Sequence, residues 1–531
     1  MNKTIKKSLD NQLREKLLQQ LNAIVSEEHV LIDDTAESFY TDVYRQQATP
    51  IAVVQVSTLE QIQRVVELAS NQKIQITVRG GGASYTDGYL PSSTDSILLD
   101  LSRFNRIIAI NEQDFYVTVE AGVTWQQLKQ ELDARQLRTP FWGPFSGLHA
   151  TIGGSVSQHT VSHGSGAHGI SAQSVLSMDI VLGDGSLLQT GSASAGLPPF
   201  ARHFGPDITG LFTGDCSALG IKAHITLPLI RQRPAHRNLS FAFPDFDTMH
   251  ESMRIIAAER LEDTHLALDG ALSQGQIARQ ESPGAMIKMA LSILASSPSW
   301  FEGLSQLCKA ALFGKRVISK SPYMTHYIVE GVSDQEVKAR LQRIRQLNQG
   351  LGKEIPATVP SVVRGMPFAP FFNTLGPSGE RWVPLHGILP HSACAAFHLE
   401  LEKFFNCHKQ KMDELGIWYG GMFATIGSSG FLYELALYWP DEITAYHRQV
   451  IPDEYLSNLP TYPANPMARE FVDQLKQDLI ALYCKHQAVN FQLGKAYPYA
   501  SRLQASSLSL IKVLKQNTDP DFVIAPGNLE L

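Results

Sequence analysis

Apolar positions along the chain change their period several times, and each change marks an element. Between residues 1 and 30, Leu9, Leu13, Leu17, Leu18, Leu21 and Ile24 recur near helical spacing and predict an amphipathic helix. Residues 51–56 are an apolar, β-branched run that reads as a strand. Thr58, followed three positions on by Gln61, is a capping-box start for a helix that puts Ile62, Val65, Val66 and Ala69 on one face. Residues 74–78 form the next strand, so this stretch is a β–α–β unit. Further strands are predicted at 96–101, 116–120, 175–182, 187–190 and 221–229, with a helix at 125–134 capped by Thr124. Gly183-Asp184-Gly185 reads as a tight hairpin-style turn.

Past Arg231 the pattern changes. It predicts a strand at 238–243, a helix at 245–261 and helical material to about Gly314. A strand at 327–331 and a helix from Ser333 through Leu347 follow. Next come a strand at 381–388, a long helix at 392–415 and strands at 417–426 and 431–439. Strands that return beside one another with helices between them suggest an α/β sandwich with an antiparallel sheet. The expected class is α+β, with the change of character at about Arg231.

The chemistry centres on Arg79-Gly80-Gly81-Gly82-Ala83-Ser84-Tyr85, which follows the strand ending at Val78. Three consecutive glycines do not belong in a helix interior, where each costs ~1 kcal/mol relative to Ala. They suit a tight loop whose bare backbone approaches a ligand, and successive N–H groups there can hold an anion such as a pyrophosphate. No lysine follows as in a P-loop. The turn-rich sequence after Tyr85 does not open a helix as a Rossmann GxGxxG does.

Net charge is −6, from 45 Lys+Arg against 51 Asp+Glu, which argues against a nucleic-acid partner. Residues 1–20 lack the apolar centre of a secretory signal. The nearest approach to a membrane span, 285–313, is broken by Lys288, Pro298, Glu302 and Lys309, leaving at most peripheral membrane contact. Five widely spaced cysteines fit reduced thiols and a cytoplasmic protein. Metal spacings at Cys407-His408, Cys484-x-His486 and the His159/His163 pair are poor, and no metal is expected.

The ordered set of motifs resembles the FAD-binding domain of the vanillyl-alcohol-oxidase / p-cresol-methylhydroxylase superfamily. It comprises the triglycine loop, Leu99-Asp100-Leu101-Ser102, Val119-Glu120-Ala121-Gly122-Val123, Ala150-Thr151-Ile152-Gly153-Gly154, Gly183-Asp184-Gly185 and Leu219-Gly220-Ile221. Gly205-Pro206-Asp207-Ile208-Thr209-Gly210-Leu211-Phe212 and the closing Asp519-Pro520 to Pro526-Gly527 add to it. The resemblance implies a two-lobed PCMH-type FAD-binding domain over 46–230 after an N-terminal helical segment at 1–45, an α/β substrate cap with an antiparallel sheet over 231–489, and a segment at 490–531 that returns to the FAD domain. It implies FAD held by Arg79, Gly80, Gly81, Gly82, Ala83, Ser84, Tyr85, Thr151, Ile152, Gly153, Gly154, Ser157, Leu219, Gly220 and Ile221. Members often anchor FAD through a histidine after the glycines or a cysteine before the ATxGG-like segment. Here Ala83-Ser84 and Ser146-Gly147 stand in those places, so non-covalent FAD is expected. Cys216 and Ser217 replace the Glu and Gly common in the last flavin loop.

The implied reaction is FAD-dependent oxidation of a small organic substrate at a hydroxyl-bearing carbon, a hydride passing to flavin N5 while a base takes the proton. A 2-hydroxy acid is the first expectation and a 4-hydroxybenzylic (phenolic) alcohol the alternative; a non-catalytic flavin protein is the reading from another class. O₂ or a quinone is the expected electron acceptor, and a homodimer is compatible with the resemblance. For the base, residues 381–388 alternate as a strand and put Trp382 and His386 on one face. His386, with an ordinary pKa near ~6.5, could take a hydroxyl proton, and His391 is the alternative. Lys495, Tyr497 and Tyr499 occupy the recrossing segment where an anionic substrate end would be held.

Overall fold

The computed structural model describes residues 11–279, 290, 291, 294 and 321–531. The chain opens with the helix Asn11–Val25, which buries Leu17 and Leu21; it stops where Ser26 turns to a positive φ of 75°. Leu9 and the rest of the expected start of this helix lie outside the described residues.

Strands β1 (Val30–Leu31), β2 (Ala52–Gln55), β3 (Gln75–Arg79) and β4 (Ser96–Asp100) make a four-stranded sheet in the order β1-β2-β4-β3. The parallel pairings β2/β4 and β3/β4 require crossovers: the helix Leu59–Gln72 carries the chain from β2 to β3, and residues 80–95 carry it from β3 to β4. Thr58 caps that helix, accepting from the Gln61 amide at 3.2 Å, while the Gln61 side chain accepts from Ser57 N at 2.8 Å. Ile62, Val65, Val66 and Ala69 are wholly buried against the sheet.

Next come β5 (Ile107–Asn111), β6 (Tyr116–Glu120), the short β7 (Leu137–Arg138), β8 (Ser177–Val181), β9 (Leu187–Gln189), β10 (Ile221–Pro228) and β11 (Ile230–Arg231). A second, antiparallel sheet runs β5-β6-β10-β8-β9, and β11 pairs with β7. The two sheets share one apolar core that includes Val54, Ile76, Leu99, Val119, Ile152, Ile180 and Ile225.

The cap holds β12 (Ala235–Phe243), β13 (Thr264–Asp269), β14 (Tyr323–Gly331), β15 (Lys353–Ile355), β16 (Arg381–Pro390), β17 (Trp418–Ile426) and β18 (Gly430–Trp439). They form one seven-stranded antiparallel sheet, ordered β15-β12-β14-β13-β17-β18-β16. Helices Phe246–Ala258, Asp334–Leu347, Cys394–Leu415 and Pro466–Lys485 pack into a core with Phe241, Tyr327, Leu385, Leu435 and Trp439. β13 corrects the expectation of unbroken helical material after 261. The alternating Thr264–Asp269 segment fills the gap between β14 and β17, and that pairing outweighs local pattern. The helical stretch expected over 285–313 lies outside the described residues except for Ala290, Leu291 and Leu294, which are helical. No helix among the described residues is long and apolar enough to cross a membrane.

The segment after the cap returns to the first domain. Ile76 N donates to Val523 O and Ala525 N to Ile76 O, both at 2.7 Å, beside a parallel bridge between Ile76 and Ile524. The buried Lys515 ammonium donates to Asp519 and to the carbonyls of Ala218 and Ile524. The α+β class and antiparallel cap sheet are as the sequence predicts.

Candidate functional site

β3 delivers the triglycine loop. Arg79 itself turns inward, its guanidinium 3.2 Å from the buried Asp100 carboxylate and over the ring of Tyr89. Gly81 is pressed against the 146–150 segment: a Cβ there would sit 1.7 Å from the His149 carbonyl oxygen. At Gly80 a Cβ would meet Thr151 Oγ1 at 2.5 Å. Thr151 is not simply part of a loop. It caps the short helix Ile152–Gln158, its hydroxyl accepting from Gly154 N at 3.2 Å. The two glycine-containing segments therefore pack backbone to backbone. Gly154 differs: a Cβ there would meet only Thr151 Oγ1 at 3.2 Å, so its bare face is open.

A third segment closes this end. Asp215 accepts from the amides of Ser217 at 3.1 Å and Leu219 at 3.3 Å and pairs with the buried Lys222 ammonium. Cys216 and Ser217 take positive φ values of 50° and 63°. Asn528 Nδ2 donates to Cys216 O at 2.7 Å and Gly88 O at 2.9 Å, tying this loop to the sequence after the triglycine.

Between these loops and the cap sheet lies a cavity of about 2070 Å³. Ligand sites usually enclose roughly 300–1,000 Å³, so there is room for a dinucleotide and a second molecule. On the first-domain side it is lined by Gly80, Gly81, Gly82, Ala83, Ser84, Tyr85, Thr151, Gly153, Gly154 and Ser157. Bare backbone, small side chains and hydroxyls suit a bent diphosphate that needs close donors, so these residues fit FAD. Five residues expected at the cofactor stand back from it. Arg79 is bound to Asp100, and Ile152, Leu219, Gly220 and Ile221 are packed in the interior. Cys216, Ser217, Lys222, Ser155 and Gln158 line the wall in addition. Cys216 and Ser217 are marked in the sequence by their place in the last flavin loop, whereas Lys222 and Gln158 are marked only by nearness in sequence to the recognised motifs.

None of the five side chains expected to act on substrate lines the cavity. His386 is fully buried, with neither ring nitrogen hydrogen-bonded among the described residues, and is stacked on Phe491 at 4.0 Å. Burial drives its pKa down to about 3, which removes the basis for a base poised at neutrality. Tyr497 Oη accepts from the His386 amide at 3.0 Å inside the cap. Lys495 donates to the carbonyls of Asp87 at 3.1 Å and Leu90 at 2.6 Å, bracing the loop rather than facing a substrate. Tyr499 lies beside the terminal turn, its amide donating to Glu530 at 3.0 Å. His391 sits beyond the end of β16, paired with His250.

The cavity-facing group that sequence reasoning missed is Glu434. It lies on β18 directly opposite His386 of β16. Its carboxyl reaches the cavity, has no hydrogen-bond or ion-pair partner among the described residues, and is pushed up by burial to about 8. Tyr85, from the triglycine loop, lies beside it and packs edge-on against Trp382, ring centroids 5.6 Å apart. The rest of the cap wall is mainly apolar, with Leu266, Leu268, Met324, Val362, Met422 and Phe371 among its residues. The only Lys or Arg among the described lining residues is Lys222, already paired with Asp215.

Residues 50–191 match the FAD binding domain family FAD_binding_4. The chain is similar to the glycolate oxidase subunit GlcD of Bacillus subtilis (strain 168), 26% identical over 224 residues, which is 42% of this chain and 46% of that protein. It is also similar to the 4-cresol dehydrogenase [hydroxylating] flavoprotein subunit of Pseudomonas putida, 29% identical over 222 residues, 39% of this chain and 42% of that one. The matched stretch thus spans less than half of each curated relative. The fold extends further: a crystal structure of p-cresol methylhydroxylase with substrate bound superposes with a TM-score of 0.70 at 17% identity, covering 98% of both chains. Residues 50–191 thus form an FAD binding domain whose glycine-lined wall faces a cap sheet, the fold is that of p-cresol methylhydroxylase, and FAD is the cofactor.

Proposed function

We propose that this protein is an FAD-dependent oxidoreductase acting on an uncharged, largely apolar alcohol such as an aromatic one, with Glu434 as the proton acceptor. Bound FAD supplies the two-electron acceptor. The carbon–hydrogen bond gives up a hydride, and the hydroxyl proton must go to a base as the carbonyl forms. Glu434 is placed for this, because its pKa near 8 puts a carboxylate close to balance at working pH. The Tyr85 hydroxyl, kept neutral by burial, can orient the same oxygen. Trp382, Met422 and Leu432 line the same cavity as this pair.

The observation that carries the substrate class is the cap wall. An anionic substrate desolvated there would need a cation, and the described lining residues offer only the paired Lys222. This favours the alcohol over the 2-hydroxy acid, although similar proteins include the named glycolate oxidase subunit. Anaerobic mixing of the yellow protein with 4-hydroxybenzylic alcohols and, in parallel, with 2-hydroxy acids tests the choice. Bleaching by the alcohols is expected. Bleaching by the acids alone would overturn the assignment.

The cofactor attachment can be read directly. No histidine follows the glycines and Ser146-Gly147 precede the capped helix, so acid precipitation is expected to release the yellow colour into the supernatant. Fluorescence travelling with the denatured chain on a gel would show a covalent link.

A further inference from the structure

On the helix-covered side of the cap sheet, three metal-ligating side chains converge from separate elements. His250 belongs to the helix Phe246–Ala258, His391 follows β16, and Cys394 is the first residue of the helix Cys394–Leu415. One ligand atom from each lies within 4.8 Å of the other two. His250 Nε2 and His391 Nδ1 are 3.0 Å apart, and His391 Nε2 is buried with no hydrogen bond of good geometry among the described residues. Cys394 is wholly buried, its thiol making, among the described residues, only a long contact to Pro390 O at 3.5 Å. The His250 ring is held by Phe431, edge-on at 4.8 Å, so its orientation is set by packing.

Nitrogen and sulfur ligands of a tetrahedral zinc stand ~2.0–2.3 Å from the ion, hence roughly 3.3–3.8 Å from each other. The His250–His391 separation of 3.0 Å lies just under that range, and the 4.8 Å limit on the set lies above it. No residue of the cluster lines the FAD cavity. A neutral imidazole has one ring nitrogen lone pair to offer a cation. We propose that His250, His391 and Cys394 form a binding site for a zinc-class divalent cation, with a fourth position left for water.

Binding breaks the His–His hydrogen bond and forms two metal–nitrogen bonds and one metal–thiolate bond. The thiol proton leaves to solvent, and the imidazole proton moves to the outward nitrogen of its own ring. One proton is therefore released per ion, and affinity rises with pH. The ion would fasten the end of β16 to two cap helices.

The test uses untagged, FAD-loaded protein stripped with a chelator and titrated calorimetrically with Zn²⁺ at pH 7.5. Two buffers of different ionisation enthalpy count the protons. One ion and about one proton per chain are expected. Cys394→Ser and His250→Gln should each weaken binding on the order of 100-fold or more and leave flavin content unchanged. Cys407→Ser, an exposed thiol elsewhere on the same helix, should leave binding as it was. Absence of stoichiometric Zn²⁺ binding overturns the proposal. So does binding that neither Cys394→Ser nor His250→Gln weakens.

Discussion

Glu434→Gln is expected to retain FAD at wild-type stoichiometry and to lose ~10²–10⁴-fold in the rate at which saturating alcohol bleaches the flavin, the usual cost of removing a general base. The amide fills the same space on β18 but takes up no proton at working pH. The pH profile separates a proton-transfer role from a packing role. A base works only when ionised, and burial raises this carboxyl to about 8. Flavin reduction in the parent protein should therefore rise with pH and level off above about 8. In Glu434→Gln that rise should be gone. His386→Gln, by contrast, should keep the parent profile, because a ring with a pKa near 3 carries no proton to exchange at neutrality. If Glu434→Gln reduces at the parent rate and retains the rise, another group takes the proton.

Gly81→Val is expected to abolish FAD retention. A Cβ at Gly81 would lie 1.7 Å from the His149 carbonyl oxygen, which is main chain and has no rotamer to escape into. Either the triglycine loop or the 146–150 segment must move, and overpacking of well-packed sites commonly costs ~1–3 kcal/mol. Gly154→Val is the matched comparison. Its Cβ would approach only Thr151 Oγ1 at 3.2 Å, so the chain should fold with near-parent thermal stability while its flavin is displaced. Flavin absorbance per chain and a thermal melt distinguish the two. Stoichiometric FAD in Gly81→Val would mean that the loop does not form the cofactor wall.

The first domain was largely legible from its sequence because its signals are local. The Thr58 cap, the apolar face from Ile62 to Ala69 and the β-branched runs on either side each act over a few residues. The glycine loops were legible too, although Gly81 owes its identity to a neighbouring carbonyl rather than to a ligand alone. The cap was less legible. β13 exists because β14 and β17 flank it, and nothing within Thr264–Asp269 announces those neighbours. The candidate base failed for a related reason. Strand alternation correctly set Trp382 and His386 on one face, but only tertiary packing shows that Phe491 stacks over the histidine. Glu434 stands in the apolar run Phe431–Trp439, where period alone gives a charged residue no special place. Its role comes from the His386 register and the cavity beside it.

The return of residues 490–531 to the first domain has a consequence for the order of assembly on the ribosome. Asn528 bridges to the Cys216 carbonyl across 312 residues of sequence, and the bridge from Ile524 completes the edge of the sheet at Ile76. Domains commonly fold in the order of their synthesis, N-terminal first. Here the earlier-translated domain lacks a sheet-edge partner and a loop clamp until the whole cap has emerged. Cofactor loading is thereby coupled to late translation: a nascent chain arrested within the cap already displays the glycine loops, yet cannot fasten them. Distant closures of this kind slow folding, because the entropy of closing the long loop is spent before the contact rewards it.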